Sequence, residues 1–321
     1  MNPVKTTIKS MLSVLMLCGA AVSASADSYP EKPVKLIVPF GAGGGSDTVA
    51  RALQLAIDKN DLLGAPVVVV NMPGAGGSVG GGAVAKAEPD GYTLGLWHFG
   101  LLTSNALGIS KVTPDDVETV AMFGRWNSIL IARADSGFKT LSDVVVKAKE
   151  EPGSVVEATA LGSAPHLQHV MLTSKVEGLK LKLMQAGGGA KRLAAVLGKH
   201  ADITIHSMGE YVGNRNPDIT ALVQYAPERH PALPEVPTAR ELGIDQVWNN
   251  YNWIIAPKGT PKARLEKVEA ALRAAMQTES FQGMLKARTL TSEVLVGDEA
   301  TAAYSAAYGE IKAAAAVVKA Q

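Results

Sequence analysis

Two stretches of the chain have the composition of an anion-binding loop. Phe40-Gly41-Ala42-Gly43-Gly44-Gly45-Ser46-Asp47 and Asn71-Met72-Pro73-Gly74-Ala75-Gly76-Gly77-Ser78 each follow a β-branched run and lead into a helical pattern. Glycine lets backbone N–H groups approach a bound group with no Cβ in the way. At a helix N-terminus those N–H groups and the helix dipole together favour anionic oxygens. Phe40, Gly43, Gly44, Gly45, Ser46 and Asp47 are therefore candidate ligand contacts on the first loop, and Gly74, Ala75, Gly76 and Gly77 on the second. In an open α/β sheet such loops lie in the crevice at the carboxyl ends of the strands, so the pair would hold one anion from two sides. Either loop alone is equally consistent with a tight turn. Gly80-Gly81-Gly82, in the helical turn that follows, costs about 1 kcal/mol per glycine relative to alanine. Either the helix begins late or something packs very close to it.

Enzymatic readings of the same loops fare worse. A dinucleotide fingerprint needs G-x-G-x-x-G, but Gly41 and Gly43 are followed by Ser46, and the second strand ends in Asn71 rather than an acid. Neither loop carries the lysine of a phosphate loop. Gly76-Gly77-Ser78-Val79-Gly80 does fit the G-x-S-x-G nucleophile elbow. The alternative function is thus a secreted serine hydrolase using Ser78, with Asp202 and His206 or His230 as partners. Six residues separate Ser78 from its strand, too many for an elbow. Without a ligand-spaced histidine pair or a cysteine in the mature chain, no metal or other cofactor is implied.

The N-terminus carries Lys5 and Lys9, an apolar run from Met11 to Val22, and then Ala24-Ser25-Ala26. This is the pattern of a secretory leader cleaved after Ala26, and the run is too short to span a bilayer. A lipoprotein would instead keep Cys18, the only cysteine, but Leu17 before it is larger than a lipid-attachment site normally has. Loss of Lys5 and Lys9 takes the formal net charge from +1 to −1, with Lys and Arg scattered. No nucleic-acid partner follows from that balance.

What must position the loops is an α/β architecture, since β-branched runs alternate with amphipathic segments. The candidate strands are Val34–Phe40, Pro66–Val70, Thr93–Trp97, Ser128–Ala132, Leu179–Gln185, Asp202–His206, Ile219–Tyr225 and Asn252–Ala256. Val49, Ala52, Leu53, Ala56 and Ile57 form one helical stripe behind Asp47, which stands where an N-cap belongs. Thr260-Pro261 opens a helix as cap and N1 residue, with Leu265, Val268, Leu272 and Met276 on its inner face. The tail from Asp298 reads as a third helix.

With those loops the chain resembles the solute-binding proteins of tripartite tricarboxylate transporters, the Bug family. The resemblance rests on Tyr29-Pro-Glu-Lys-Pro33, Gly43-Gly44-Gly45-Ser46-Asp47, Asn71-Met-Pro-Gly-Ala-Gly-Gly77, Lys86-Ala-Glu-Pro-Asp-Gly-Tyr-Thr93, Pro231-Ala-Leu-Pro-Glu-Val-Pro-Thr238 and Ala256-Pro-Lys-Gly-Thr-Pro261. It implies a two-lobed periplasmic binding protein of type II-like fold, with 27–123 plus 229–321 as lobe one and 124–228 as lobe two. It implies a monomer that takes a small carboxylate into the crevice and passes it to membrane permease subunits. His98 at a strand end, Ser163 and Gly188 in lobe two, and His206 are further candidate contacts. Two departures bear on the ligand: Ala186-Gly187 stands where relatives usually carry Tyr-Lys, and His206 where they usually carry Asp. These suggest a bulkier ligand, or one with a distal acceptor to which His206 donates, gaining attraction when protonated. His166 is expected to be a helix residue rather than a contact, and Trp97, Phe99, Tyr251 and Trp253 are expected either in the core or on the crevice wall.

Overall fold

The computed structural model describes residues 28–213 and 215–319, so the leader and its cleavage site lie outside the described residues. The chain begins with β1 (Val34–Val38), α1 (Gly45–Lys59), β2 (Val67–Asn71), α2 (Ser78–Ala85), β3 (Thr93–Trp97) and α3 (Gly100–Ala106). It then enters β4 (Val117–Arg133), a strand long enough to belong to two sheets. From Val117 to Asn127 it pairs with the first sheet, and from Ser128 onward with the second. The second lobe follows as α4 (Leu141–Glu150), β5 (Val156–Thr159), α5 (Ala164–Lys175), β6 (Lys182–Gln185), α6 (Gly189–Leu197), β7 (Ile203–Ser207), α7 (Met208–Gly213) and β8 (Ile219–Tyr225). The chain returns through β9 (Asn249–Pro257) and closes with α8 (Lys262–Met276), α9 (Glu279–Ala287), β10 (Val294–Val296) and α10 (Gly297–Lys319).

The first sheet runs β2-β1-β3-β9-β4, with β10 added on β4. β1, β2 and β3 are parallel, whereas β9 is antiparallel to both β3 and β4. In the second sheet β5, β6 and β7 are parallel, and β4 lies antiparallel to β7 and β8. The parallel strands supply the loop-bearing carboxyl ends, while the long strand β4 carries the chain from the first sheet into the second. The segment from Arg229 to Trp248 bonds to β8: Gln224 Nε2 donates to Leu233 O and Val236 O, and Trp248 N donates to Tyr225 O. We therefore place the return to lobe one at Asn249 rather than at the expected Arg229.

One face of the first sheet packs Val34, Leu36 and Leu94 against Leu53 and Ile57 of α1, Leu272 of α8 and Phe281 of α9. The opposite face joins a cluster that continues into lobe two, from Trp97, Leu101 and Trp253 to Leu130, Leu167 and Ile205. α10 lies along this seam and touches both α3 and α5, with Tyr304 packed 4.1 Å from the Trp253 ring. Trp97, Phe99 and Trp253 thus belong to the core, and Tyr251 packs half-buried beside Phe99.

Three local expectations change. Asp47 is not the N-cap of α1; Gly44 is. Thr260 turns its hydroxyl to Pro257 O, and Pro261 rather than Thr260 caps α8. Gly80 and Gly81 of α2 answer to close packing, not to a late start, because a Cβ on Gly81 would come within 2.8 Å of Leu101 and one on Gly80 within 3.1 Å of Trp97, whereas Gly82 has open space.

Away from the seam the lobes meet through small residues. A Cβ on Gly209 of α7 would fall 1.6 Å from Arg288 O, just past the end of α9. Gly209→Ala should therefore cost about 1–3 kcal/mol through overpacking. Gly283→Ala, within α9 but with open space at its Cβ, should be neutral or gain up to about 1 kcal/mol from helix propensity. Denaturant midpoints of the two variants measure the contrast.

Candidate functional site

A cavity of about 540 Å³ lies between the lobes and is lined by both. Four helices from the two sheets aim their N-termini at it: α1 behind Gly44, α2 behind Gly77, α5 behind Ser163 and α6 behind Gly188. None of the four has a side-chain cap, and Ser163 turns its hydroxyl to Ala160 O instead. By contrast α4 and α9, whose N-termini do not line the cavity, are capped by Thr140 and Thr278. The first N–H groups of a helix have no intrahelical acceptor. Four such ends, each the positive pole of its helix dipole, give one crevice a positive lining.

Of the residues singled out in the sequence, Phe40, Gly44, Gly45, Ser46, Gly74, Ala75, Gly76, Gly77, His98, Ser163, Gly188 and His206 line the cavity. Gly43 and Asp47 do not. Asp47 is buried behind the loop, where its carboxylate accepts from Gly43 N at 3.0 Å, Arg51 Nε at 2.9 Å and Asn71 Nδ2 at 3.0 Å. Asn71 Nδ2 also donates to Phe40 O. Asp47 therefore ties the first loop to the start of the second. Its burial alone would raise its pKa, but the bonds from Arg51, Gly43 and Asn71 outweigh that and hold it below the ordinary value.

His98 stacks on Phe40 with ring centroids 4.9 Å apart and meets Trp126 edge-on at 6.2 Å. Its Nδ1 accepts from Gly100 N at 3.0 Å, which puts the proton on Nε2 and makes that atom a donor. Burial, and then the charge of Arg192, push the imidazole down to about 4. Arg192 is a buried guanidinium on α6, with Nη1 bonded to Gly187 O at 2.9 Å, Nη2 to Ile205 O at 3.2 Å, and Nε unpaired. Burial lowers its pKa against the pull of Glu210 and Glu157. It stays cationic even so, because arginine does not deprotonate in proteins.

His206 is buried on the cavity wall, and its Nε2 lies 3.3 Å from Glu210 Oε2. Burial lowers its pKa, with Glu210 opposing and Arg192 reinforcing the shift. The expected attraction of a protonated His206 for an anion is thus disfavoured by burial, and the group facing the imidazole is a carboxylate. His166 takes the helix role expected of it, accepting from Gly162 N through Nδ1. Among the described residues Ser78 Oγ has no hydrogen-bond partner, Asp202 accepts from Val156 N, and His230 Nδ1 accepts from Ala232 N, so no triad is assembled around that serine there.

Sequence reasoning missed Trp126, Gln168, Arg192, Glu210, Asn250 and Arg288, all of which line the cavity. Arg192 leaves a trace in the sequence, because it precedes Val196 by one turn on the buried stripe of α6. Glu210 leaves none, on a six-residue helix of no clear periodicity.

Two α/β lobes joined by the long strand β4, with helix N-termini meeting in the crevice, define a two-lobed periplasmic binding protein. Residues 49–310 match the tripartite tricarboxylate transporter family receptor, and the chain belongs to that family. It is 33% identical to a UPF0065 protein of Bordetella pertussis over 284 residues, 84% of each chain. It is 30% identical to the protein BugT of the same organism, covering 88% of this chain and 87% of BugT. Among solved structures it is similar to the periplasmic binding protein BugD, at 31% identity and a TM-score of 0.81, covering 91% of this chain and 98% of BugD. MatC of Rhodopseudomonas palustris, solved with bound malate, superposes with a TM-score of 0.80 at 28% identity, over 90% of this chain and all of MatC.

The depressed pKa of His98 has a thermodynamic consequence. Between pH about 6.5 and about 4 the unfolded chain takes up a proton that the folded chain refuses, so stability falls as pH drops through that window. Urea midpoints at pH 7.5 and 5 should therefore drop less in His98→Gln than in the unsubstituted protein.

Proposed function

We propose that the chain is an exported, non-catalytic receptor that closes on a small carboxylate between its lobes and delivers it to the permease of a tripartite tricarboxylate-type transporter. Export would follow from the leader, with cleavage after Ala26 and release into the periplasm as a monomer. The observation that carries this reading is the convergence of four uncapped helix N-termini on one cavity. Free N–H groups there can satisfy carboxylate oxygens with no cationic side chain at the contact. Arg192 and Arg288 on the wall, and the Nε2 donor of His98, add to the same preference. The malate held by MatC is an acid of this class.

A thermal-shift screen against aliphatic and aromatic mono-, di- and tricarboxylates tests the reading. A ligand at about 100 times its dissociation constant adds about 2.7 kcal/mol, enough to raise Tm by several degrees. Gly76 gives the matched variant. Its φ is +66°, and a Cβ there would come within 2.8 Å of Gly162 O in the opposite lobe. Gly76→Val should abolish the shift for every carboxylate, whereas Gly82→Ala, with open space at its Cβ, should keep it. Equal shifts in the folded Gly76→Val protein would reduce the second loop to a turn.

A further inference from the structure

The four helix N-termini form two facing pairs. α2 meets α5, for the Cβ position of Gly76 lies against Gly162, the residue before the Ser163 cap, and Ser104 Oγ donates to Gly162 O. α1 meets α6 through a side chain: Glu210 Oε1 lies 2.5 Å from where a Cβ on Gly45 would stand, and Oε2 lies 3.1 Å from that of Gly189. One carboxylate of the protein thus touches the first residue of both helices. Among the described residues no hydrogen-bond donor is bonded to it, and the ion-pair partner it has is His206, at 3.3 Å. Two guanidiniums complete the surroundings. Arg192 is buried with Nε unpartnered, and Arg288 Nη1 lies 3.8 Å from the same Gly45 position.

Two helix N-termini and two guanidiniums are what a bound carboxylate would need. At the α1–α6 pair that carboxylate is already present and belongs to Glu210. We infer that Glu210 fills one of the two anion positions of the crevice and thereby restricts the ligand to a monocarboxylate with a hydrogen-bond donor at its far end. The ligand's carboxylate goes to the α2–α5 pair, beside the Nε2–H of His98. Its far end meets the free oxygens of Glu210, which accept from a hydroxyl, amide or ammonium group and repel a second carboxylate. Glu210 is then the residue that sets specificity. This inference rests on the carboxylate-receptor reading above.

The test is calorimetry with acids on three skeletons, butanoate, hexanoate and benzoate, each carrying a carboxylate, a hydroxyl or an amine at its far end. On every skeleton that binds, the unsubstituted protein should favour the hydroxyl or amino acid over the dicarboxylate by about tenfold or more. Glu210→Gln keeps the side-chain volume and removes the charge, so it should narrow that ratio, and Glu210→Ala should reverse it by opening the α1–α6 pair. A preference of the unsubstituted protein for dicarboxylates, or a ratio unchanged in folded Glu210→Gln, overturns the inference and leaves the receptor reading standing. Binding of no acid on any skeleton overturns both.

Discussion

Every helix begins with N–H groups that its own backbone cannot satisfy, and this constraint organises the molecule. α4 and α9 meet it locally, with threonine caps. The helices at the crevice leave it open, and much of the surrounding sequence follows from that choice. Their caps are glycines, or in Ser163 a hydroxyl turned elsewhere, because a capping side chain would occupy the space of the ligand. A loop so free of side chains has little to hold its shape. Asp47 supplies the restraint from behind, bonding Gly43 and Asn71 with a carboxylate that never reaches the cavity. The sequence points to it as a contact because an acid beside glycines at a helix start looks the same in either role.

Such a crevice lies between two bodies, and the strand pattern provides them. β4 runs unbroken from one sheet into the other, and β9 returns beside its lobe-one half, so one continuous strand belongs to both lobes. Beside that strand the shared core and α10 keep the lobes in contact. Elsewhere the lobes touch through Gly76 against Gly162 and through Gly209 and Gly213 against the end of α9. Glycine at these points lets one lobe approach the backbone of the other closely.

The parts of this arrangement that obey local rules are legible in the sequence. β3 and β8 fall at the bounds their patterns predict, and the two glycine loops lie where strands end and helices begin. β5, β10 and the first half of β4 have no such signature. β5 has four residues with Glu157 among them, and β10 has three, too few for alternation to register. Glu157 can be buried only because His169 Nδ1 lies 2.6 Å from its Oε2, a partner twelve residues away on α5. In the site, the lobe-one loops are legible because glycine at a helix start has few other uses. Trp126, Asn250 and Arg288 are not, because each reaches the cavity through strand register or helix packing that no local pattern encodes.

Charge in the crevice follows from the same geometry. Burial disfavours the charged form of histidine at this depth, and it lowers the pKa of both His98 and His206. A cation there has to be one that cannot shed its proton, and Arg192 meets that requirement, two of its nitrogens bonded to strand-end carbonyls. A buried guanidinium without an adjacent carboxylate is costly, since desolvation is repaid only by a partner. Glu210 and Glu157 act on its charge, while their carboxylates lie beside the imidazoles of His206 and His169. The negative charge that acts on Arg192 therefore comes from Glu210 and Glu157, and its own hydrogen bonds go to backbone carbonyls.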